Sequence, residues 1–102
     1  MKYTEEQIKE KAHQIMKDLN GKYYFENCVN KAIFQKDEIV FAGKMKGKEI
    51  PSWLISIKAI ADQLCFLHIS DETGEPLYYM NFSMVCFNVE KDKNGKYFKT
   101  EI

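Results

Sequence analysis

No arginine occurs in this chain; all 15 basic residues are lysines. The planar bidentate fork that reads guanine edges and clamps phosphates is therefore missing, which weighs against specific nucleic-acid recognition. Excess charge is missing too. The 15 lysines face 15 acids, split ten against eight over residues 1–50 and five against seven over 51–102, so neither half is a polyelectrolyte. Cysteine is scarce: Cys28, Cys65 and Cys86 are odd in number, widely spaced and set among apolar neighbours such as Leu64 and Phe66 or Val85 and Phe87. That pattern fits neither a disulfide framework nor a zinc ligand set, and points to buried free thiols in a reducing compartment. There is no apolar run of the roughly 18 residues that suggests a membrane helix. Met1 leads directly into Lys2-Tyr3-Thr4-Glu5-Glu6 without an apolar signal core, so no membrane association and a cytoplasmic location are expected.

Catalytic signatures are also wanting. Ser52, Ser56, Ser70 and Ser83 lack the context of a nucleophile elbow, and there is no glycine-rich phosphate loop, metalloprotease helix or nucleotide fingerprint. No catalytic residue, cofactor or metal ligand is expected. With no repeat, linker or low-complexity tract, the 102 residues read as one domain. A hydrophobic fraction of 45% with 14 aromatic residues, counting seven Phe, six Tyr and one Trp, suffices for a packed core.

What the chain does hold is an amphipathic helix followed by β chemistry. Over 4–19, Ile8, Ala12, Ile15, Met16 and Leu19 form one stripe at helical spacing. Thr4 with Gln7 predicts a capping box, Tyr3 and Ile8 a hydrophobic staple, and Asn20-Gly21 a left-handed stop. From Tyr23 onward, aromatic and branched runs are punctuated by Lys36-Asp37, Lys46-Gly47, the 71–74 turn and Asn94-Gly95. Alternation of Ile39, Phe41, Gly43 and Met45 with Lys44, Lys46 and Lys48 predicts a half-buried strand over 39–48. Its lysine row suits edge protection, or an acidic partner. Residues 52–64 match both periods; a strand over 53–58 is the reading, with a short second helix over 58–64 as the alternative. Strands over 64–70 and 77–89 and a final hairpin through Asn94-Gly95 complete the chain. The expected fold is α+β: an N-terminal helix packed on a curved antiparallel meander of five to six strands.

Three clusters invite chemical readings. Glu90, Asp92, Asn94, Gly95 and Glu101 fall at calcium-loop positions, but the preceding residues are β formers, no helix follows, and a plain hairpin is expected. Asp71, Glu72 and Glu75 sit around Thr73-Gly74 and are expected to face water at a turn. His68 alternates with Phe66 and Ser70, so Cys65 points to the opposite face and no thiol–imidazole pair forms. His13 is placed at the edge of the helix stripe.

The strand over 77–89 carries apolar residues on both faces. If one helix of 16 residues, about 24 Å long, shields Tyr78, Met80, Phe82, Met84 and Cys86, then Leu77, Tyr79, Val85 and Phe87 remain for a protein partner or a second copy of the chain, the alternative being a bulge near Asn81 and Ser83 that returns Val85 and Phe87 to the same core. A concave-face pocket around Trp53 and His68 is the small-ligand alternative.

Trp53-Leu54-Ile55-Ser56-Ile57, followed by Phe66-Leu67-His68-Ile69-Ser70-Asp71-Glu72-Thr73-Gly74-Glu75-Pro76-Leu77-Tyr78-Tyr79, resembles a strand-turn-strand pattern of small bacterial immunity-type proteins, which neutralise a toxin. The Asp71-Glu72-Thr73-Gly74 turn after an amphipathic helix is also similar to peptidase-propeptide domains of cystatin-like shape. The resemblance spans the last half of the chain plus the helix and carries no binding residue with it. It implies a non-enzymatic, protein-binding inhibitory module; a pocketed ligand binder or a structural homodimer are the alternatives.

Overall fold

The computed structural model describes residues 1–59 and 63–102. Helix α1 runs over Glu5–Asn20, with both of its ends specified as the sequence implies. The Thr4 hydroxyl accepts the Gln7 N–H at 3.1 Å, while the Gln7 side-chain oxygen accepts the Thr4 N–H at 2.9 Å. This reciprocal cap satisfies two donors that a bare helix start leaves unpaired. Gly21, at φ 54°, returns its N–H to the Lys17 carbonyl and ends the helix. Ile8, Ala12, Ile15 and Met16 are buried along one stripe.

Six strands follow: β1 Val29–Gln35, β2 Ser52–Lys58, β3 Leu64–Ser70, β4 Pro76–Met80, β5 Cys86–Lys91 and β6 Tyr97–Glu101. They pair antiparallel with their neighbours in sequence order, making a curved sheet that does not close. Every crossing is therefore a hairpin or a short loop except the β1–β2 connection. The α+β fold, with its helix on an antiparallel meander, is as expected.

The face under α1 carries Trp53, Ile55 and Ile57 on β2, which stand opposite Ile69, Leu67 and Cys65 on β3. Tyr79 and Tyr97 extend this core, with Phe87 and Val89 packed against it. Each fully buried aliphatic side chain contributes about 1.5–3 kcal/mol, so this layer holds the helix to the sheet.

The other face departs from expectation. The 39–48 stretch is not a ladder strand; it belongs to a connection, 36–51, that folds back across the sheet. Gly43 and Gly47, both at φ 87°, break the extended chain. An isolated bridge, Ile39 to Glu49, and bonds from Val40 N–H to Lys48 C=O and from Gly47 N–H to Val40 C=O close the loop on itself. The burial is inverted as well. Val40, Ala42 and Ile50 pack on Tyr78, with Leu77 and Cys86 alongside, while Ile39 and Phe41 face outward at 61% and 67% exposure. Lys44, Lys46 and Lys48 are exposed loop residues, and Lys44 pairs with Glu90.

Nor is 77–89 one strand. β4 ends at Met80 and the chain reverses through Phe82-Ser83-Met84. The Asn81 side-chain oxygen accepts the N–H groups of Ser83 and Val85 at 2.9 and 3.0 Å, and Met84 stands in the left-handed region at φ 64°. At the β2–β3 turn, Lys58 pairs with Leu64 and Ala59 N–H donates to Gln63 C=O at 2.8 Å. The remainder of the alternative 58–64 helix falls on 60–62, outside the described residues.

Candidate functional site

The residues expected to form one partner surface do not lie together. Tyr79 is 5% exposed within the core beneath α1, and Phe87, its cross-strand partner, packs on that core. Both thus sit on the helix side, the reverse of the assignment from alternation. A bulge at Leu77, between the His68–Tyr78 and Ile69–Pro76 pairs, turns Leu77 toward the loop-covered cluster. Val85 alone of the four is exposed, at the end of the β4–β5 loop.

Trp53 and His68 lie on opposite faces, because His68 pairs with Leu54, the neighbour of Trp53. Trp53 borders an open groove of about 540 Å³ between the N-terminal residues and the Ala32–Phe34 part of β1. His68 stacks on Tyr78 with ring centroids 4.2 Å apart, next to the loop-covered cluster to which Tyr78 belongs. Burial pushes its imidazole down to about 4. Cys65 and His68, neighbours in register by an odd step, face apart as the sequence indicates.

The carboxylates of the β3–β4 turn divide. Contrary to expectation Asp71 is buried: Oδ1 accepts the Trp53 indole N–H at 2.9 Å and the Tyr3 N–H at 3.2 Å, and Oδ2 accepts the Lys2 N–H at 2.7 Å. Burial by itself would raise this carboxyl, but those donors and the N-terminal ammonium outweigh it and hold Asp71 below its ordinary value. Glu75 accepts the Tyr97 hydroxyl at 2.6 Å and the Lys91 ammonium at 2.9 Å, with Lys11 at 3.4 Å. It too is held low, its burial being outweighed by those donors. Only Glu72 of the three is fully exposed. Both carboxylates are saturated with partners, which suits an anchor between helix, turn and strands rather than acid–base chemistry. Glu90 and Asp92 belong to the β5–β6 hairpin. Glu90 binds Lys44 and the Thr100 hydroxyl, while Asp92 accepts the Asn94 and Lys96 N–H groups.

A different place gathers the features of a binding site. The end of the molecule that holds the helix C-terminus, the β2–β3 turn and the β4–β5 loop contains a cleft of about 270 Å³. Its floor is Ile57, Cys65 and Tyr79, all buried; Tyr23, Phe25 and Phe82 stand around it. Gly21 and the helical turn Gly21–Tyr23 swing the chain off the helix axis and project Tyr23, which stays 74% exposed. The Asn81 turn projects Phe82 from the other side. Lys99 lies with its ammonium 5.3 Å from the Tyr79 ring centroid and 5.2 Å from that of Phe87, a cation–π arrangement beside the floor. Burial and the adjacent Cys65 thiol raise the Tyr79 hydroxyl far above its usual value, keeping it a neutral donor. Cys28, also buried, is pushed up by burial, and all three cysteines are unpaired.

Large apolar side chains are exposed at this end of the molecule, as they also are at Ile39 and Phe41 on the 36–51 loop. Phe25, Leu64, Phe82, Met84 and Val85 are between 39% and 77% exposed, and Ile102, next to the paired Phe87–Glu101 position, is 64% exposed. Sequence reasoning named Val85 among these, placed Phe82 and Met84 on the helix-shielded face, where they are not, and missed the rest. Their only sequence signal is a cluster of aromatics directly after the Asn20-Gly21 helix stop. No His, Cys, Asp or Glu cluster among the described residues could hold a metal ion. No helix is long and apolar enough to cross a membrane among the described residues. Comparison with protein-family models, with curated proteins and with solved structures gives no match.

Proposed function

We propose that this chain is a non-enzymatic protein-binding module whose docking surface is the apolar end around the Tyr23–Phe82 cleft. The observation that carries this reading is the gathering of exposed aromatic and aliphatic side chains from three separate chain segments about one concavity. Binding energy concentrates where one large side chain enters such a pocket within an apolar surround. The cleft, about 270 Å³, has room for one apolar side chain of a partner. Met84 supports the same reading. A bulky residue 77% exposed in the left-handed region costs about 1–2 kcal/mol where glycine would not.

The 36–51 loop covers part of the sheet face that a second copy would otherwise need, which favours a different protein over a structural homodimer. Immunity-type inhibition, implied by the resemblance, is the concrete form that this module would take in a bacterial cell, with the toxin as partner.

The test is selection from a displayed random-peptide library on the wild-type chain and on Phe82→Asp. Enriched peptides should share one aromatic or aliphatic anchor and should fail on the variant. No enrichment, or enrichment indifferent to Phe82→Asp, contradicts the proposal.

A further inference from the structure

We infer that a second copy of this chain covers the free edge of β1, strand against strand, with the dyad at Ile33. β1 and β6 are the two edges of the open sheet. Main-chain groups alternate in direction along a strand, and the bonds at the two ends of β2 fix which way each points. Asp71 N–H donates to Pro51 C=O and Ala59 N–H to Gln63 C=O, so the odd-numbered residues of β2 bond β3, and Ser52, Leu54 and Ser56 bond β1. Their partners are Gln35, Ile33 and Lys31, and the Lys31 N–H also reaches Ser56 Oγ at 3.1 Å. Ala32 and Phe34 are left with N–H and C=O turned outward, and no hydrogen bond reaches those groups among the described residues. They stand against Ile55 and Trp53, within the first four residues of β2, whereas 60–62 follow its end.

The other edge is guarded. On β6 the same alternation, set by Asp92 N–H to Lys96 C=O, turns Tyr97, Lys99 and Glu101 outward. Asp18 of α1 accepts the Tyr97 N–H at 3.1 Å, and Lys99 and Glu101 put charges along that edge. On β1, Ala32-Ile33-Phe34-Gln35 holds neither charge nor proline, and Ile33 is 53% exposed. An uncharged edge with unpaired main-chain groups is a template for another strand.

Self-complementarity identifies the occupant. With Ile33 of one copy opposite Ile33 of the other, Ala32 of each faces Phe34 of the other, and all the outward N–H and C=O groups of these residues are paired. Ala32 and Phe34 lie on the helix side, packed against its core. The small side chain thus leaves room for the large one beside the groove that Ala32, Phe34 and Trp53 line. On the opposite side Ile33 meets its symmetry mate at the close spacing of a non-hydrogen-bonded pair, about 4.5 Å between Cα atoms. Lys31 faces Gln35, so no like charges meet. The nearest registers that keep the same groups paired oppose Ile33 to Lys31 or to Gln35 instead. Five residues a side is small beside the roughly 20–30 of a stable interface, so the dimer is reversible and forms at high concentration. This edge is separate from the Tyr23–Phe82 cleft and from the sheet face that 36–51 covers.

Sedimentation equilibrium between about 10 μM and about 1 mM is expected to show the mass rising from monomer toward dimer. Ile33→Lys opposes two ammonium groups on the dyad and should weaken dimerisation at least tenfold. Ile33 is exposed, so the unfolding curve of this variant should overlay that of the wild type. Phe82→Asp should leave dimerisation unchanged. Under mild oxidation Ile33→Cys should link two chains at least tenfold faster than Lys31→Cys or the wild type, because only residue 33 meets its own copy. A monomer throughout, a dimer indifferent to Ile33→Lys, or linking of Lys31→Cys as fast as Ile33→Cys overturns the inference. A dimer lost in Phe82→Asp would place the second copy at the cleft and overturn it as well.

Discussion

The indole N–H of Trp53 donates to Oδ1 of Asp71 at 2.9 Å, joining the buried, helix-side face of β2 to the turn that follows β3. The same carboxylate receives the main chain of Lys2 and Tyr3, so one buried charge fixes the entry into α1. Asp71→Ala would leave buried donors unpaired. A loss of about 2–4 kcal/mol in urea unfolding is expected, and Glu72→Ala, on the exposed neighbour, should change stability by less than about 0.5 kcal/mol.

His68 makes stability depend on mild acid. Its folded value, about 4, lies below its unfolded one, so the unfolded chain takes up a proton first. Stability is full above the unfolded value near pH 6.5 and declines as pH falls toward 4, by roughly 3 kcal/mol. Asp71 and Glu75, both held low, act further down: their contributions are present above their unfolded values and are lost as pH falls through the folded ones. His68→Phe, which keeps a ring against Tyr78, should flatten the pH 6.5 to 4.5 part of the profile and leave the steeper acid limb intact.

Gly43 separates space from backbone strain in the 36–51 loop. A Cβ there would lie 2.9 Å from the Leu77 carbonyl oxygen and 3.3 Å from the Asn88 amide oxygen, at φ +87°; at Gly47 the φ is the same and nothing lies within 4 Å. Gly47→Ala is therefore expected to cost about 1 kcal/mol from conformation alone. Gly43→Ala should cost at least 1 kcal/mol more, and should speed thiol labelling of Cys86 under the lifted loop without exposing Cys28.

The helix was legible because its signals are local: the capping box, the stripe and the Gly21 stop all lie within the chain's first 21 residues. The strand cores of β2 and β3 were legible for the same reason. The 39–48 strand misled because alternation also arises in a loop that packs Val40 and Ala42 inward, and two glycines at positive φ broke the ladder. The 77–89 strand misled because its reversal uses Asn81 and a left-handed Met84 in place of the usual Gly. Splitting it exchanged the two faces, which moved Tyr79 and Phe87 into the helix-side core. The cleft had no local signature at all, since the helix end, the β2–β3 turn and the β4–β5 loop meet only in the folded chain.

Met84→Gly relieves the left-handed strain of the β4–β5 loop. Stability should rise by about 1 kcal/mol, read from the shift in the denaturation midpoint at unchanged slope, while binding of a library-selected peptide weakens if Met84 contributes to the apolar rim.

The affinity of a library-selected peptide for Phe82→Asp, measured on protein whose unfolding curve overlays that of the wild type, bears most directly on the apolar end as a docking surface. Phe82 is 50% exposed, whereas Phe87 packs on the core, so Phe87→Asp should lose the fold and Phe82→Asp should keep it. A folded Phe82→Asp protein with at least tenfold weaker binding is the expected result. Wild-type affinity in that folded variant would place the docking surface elsewhere and contradict the proposal.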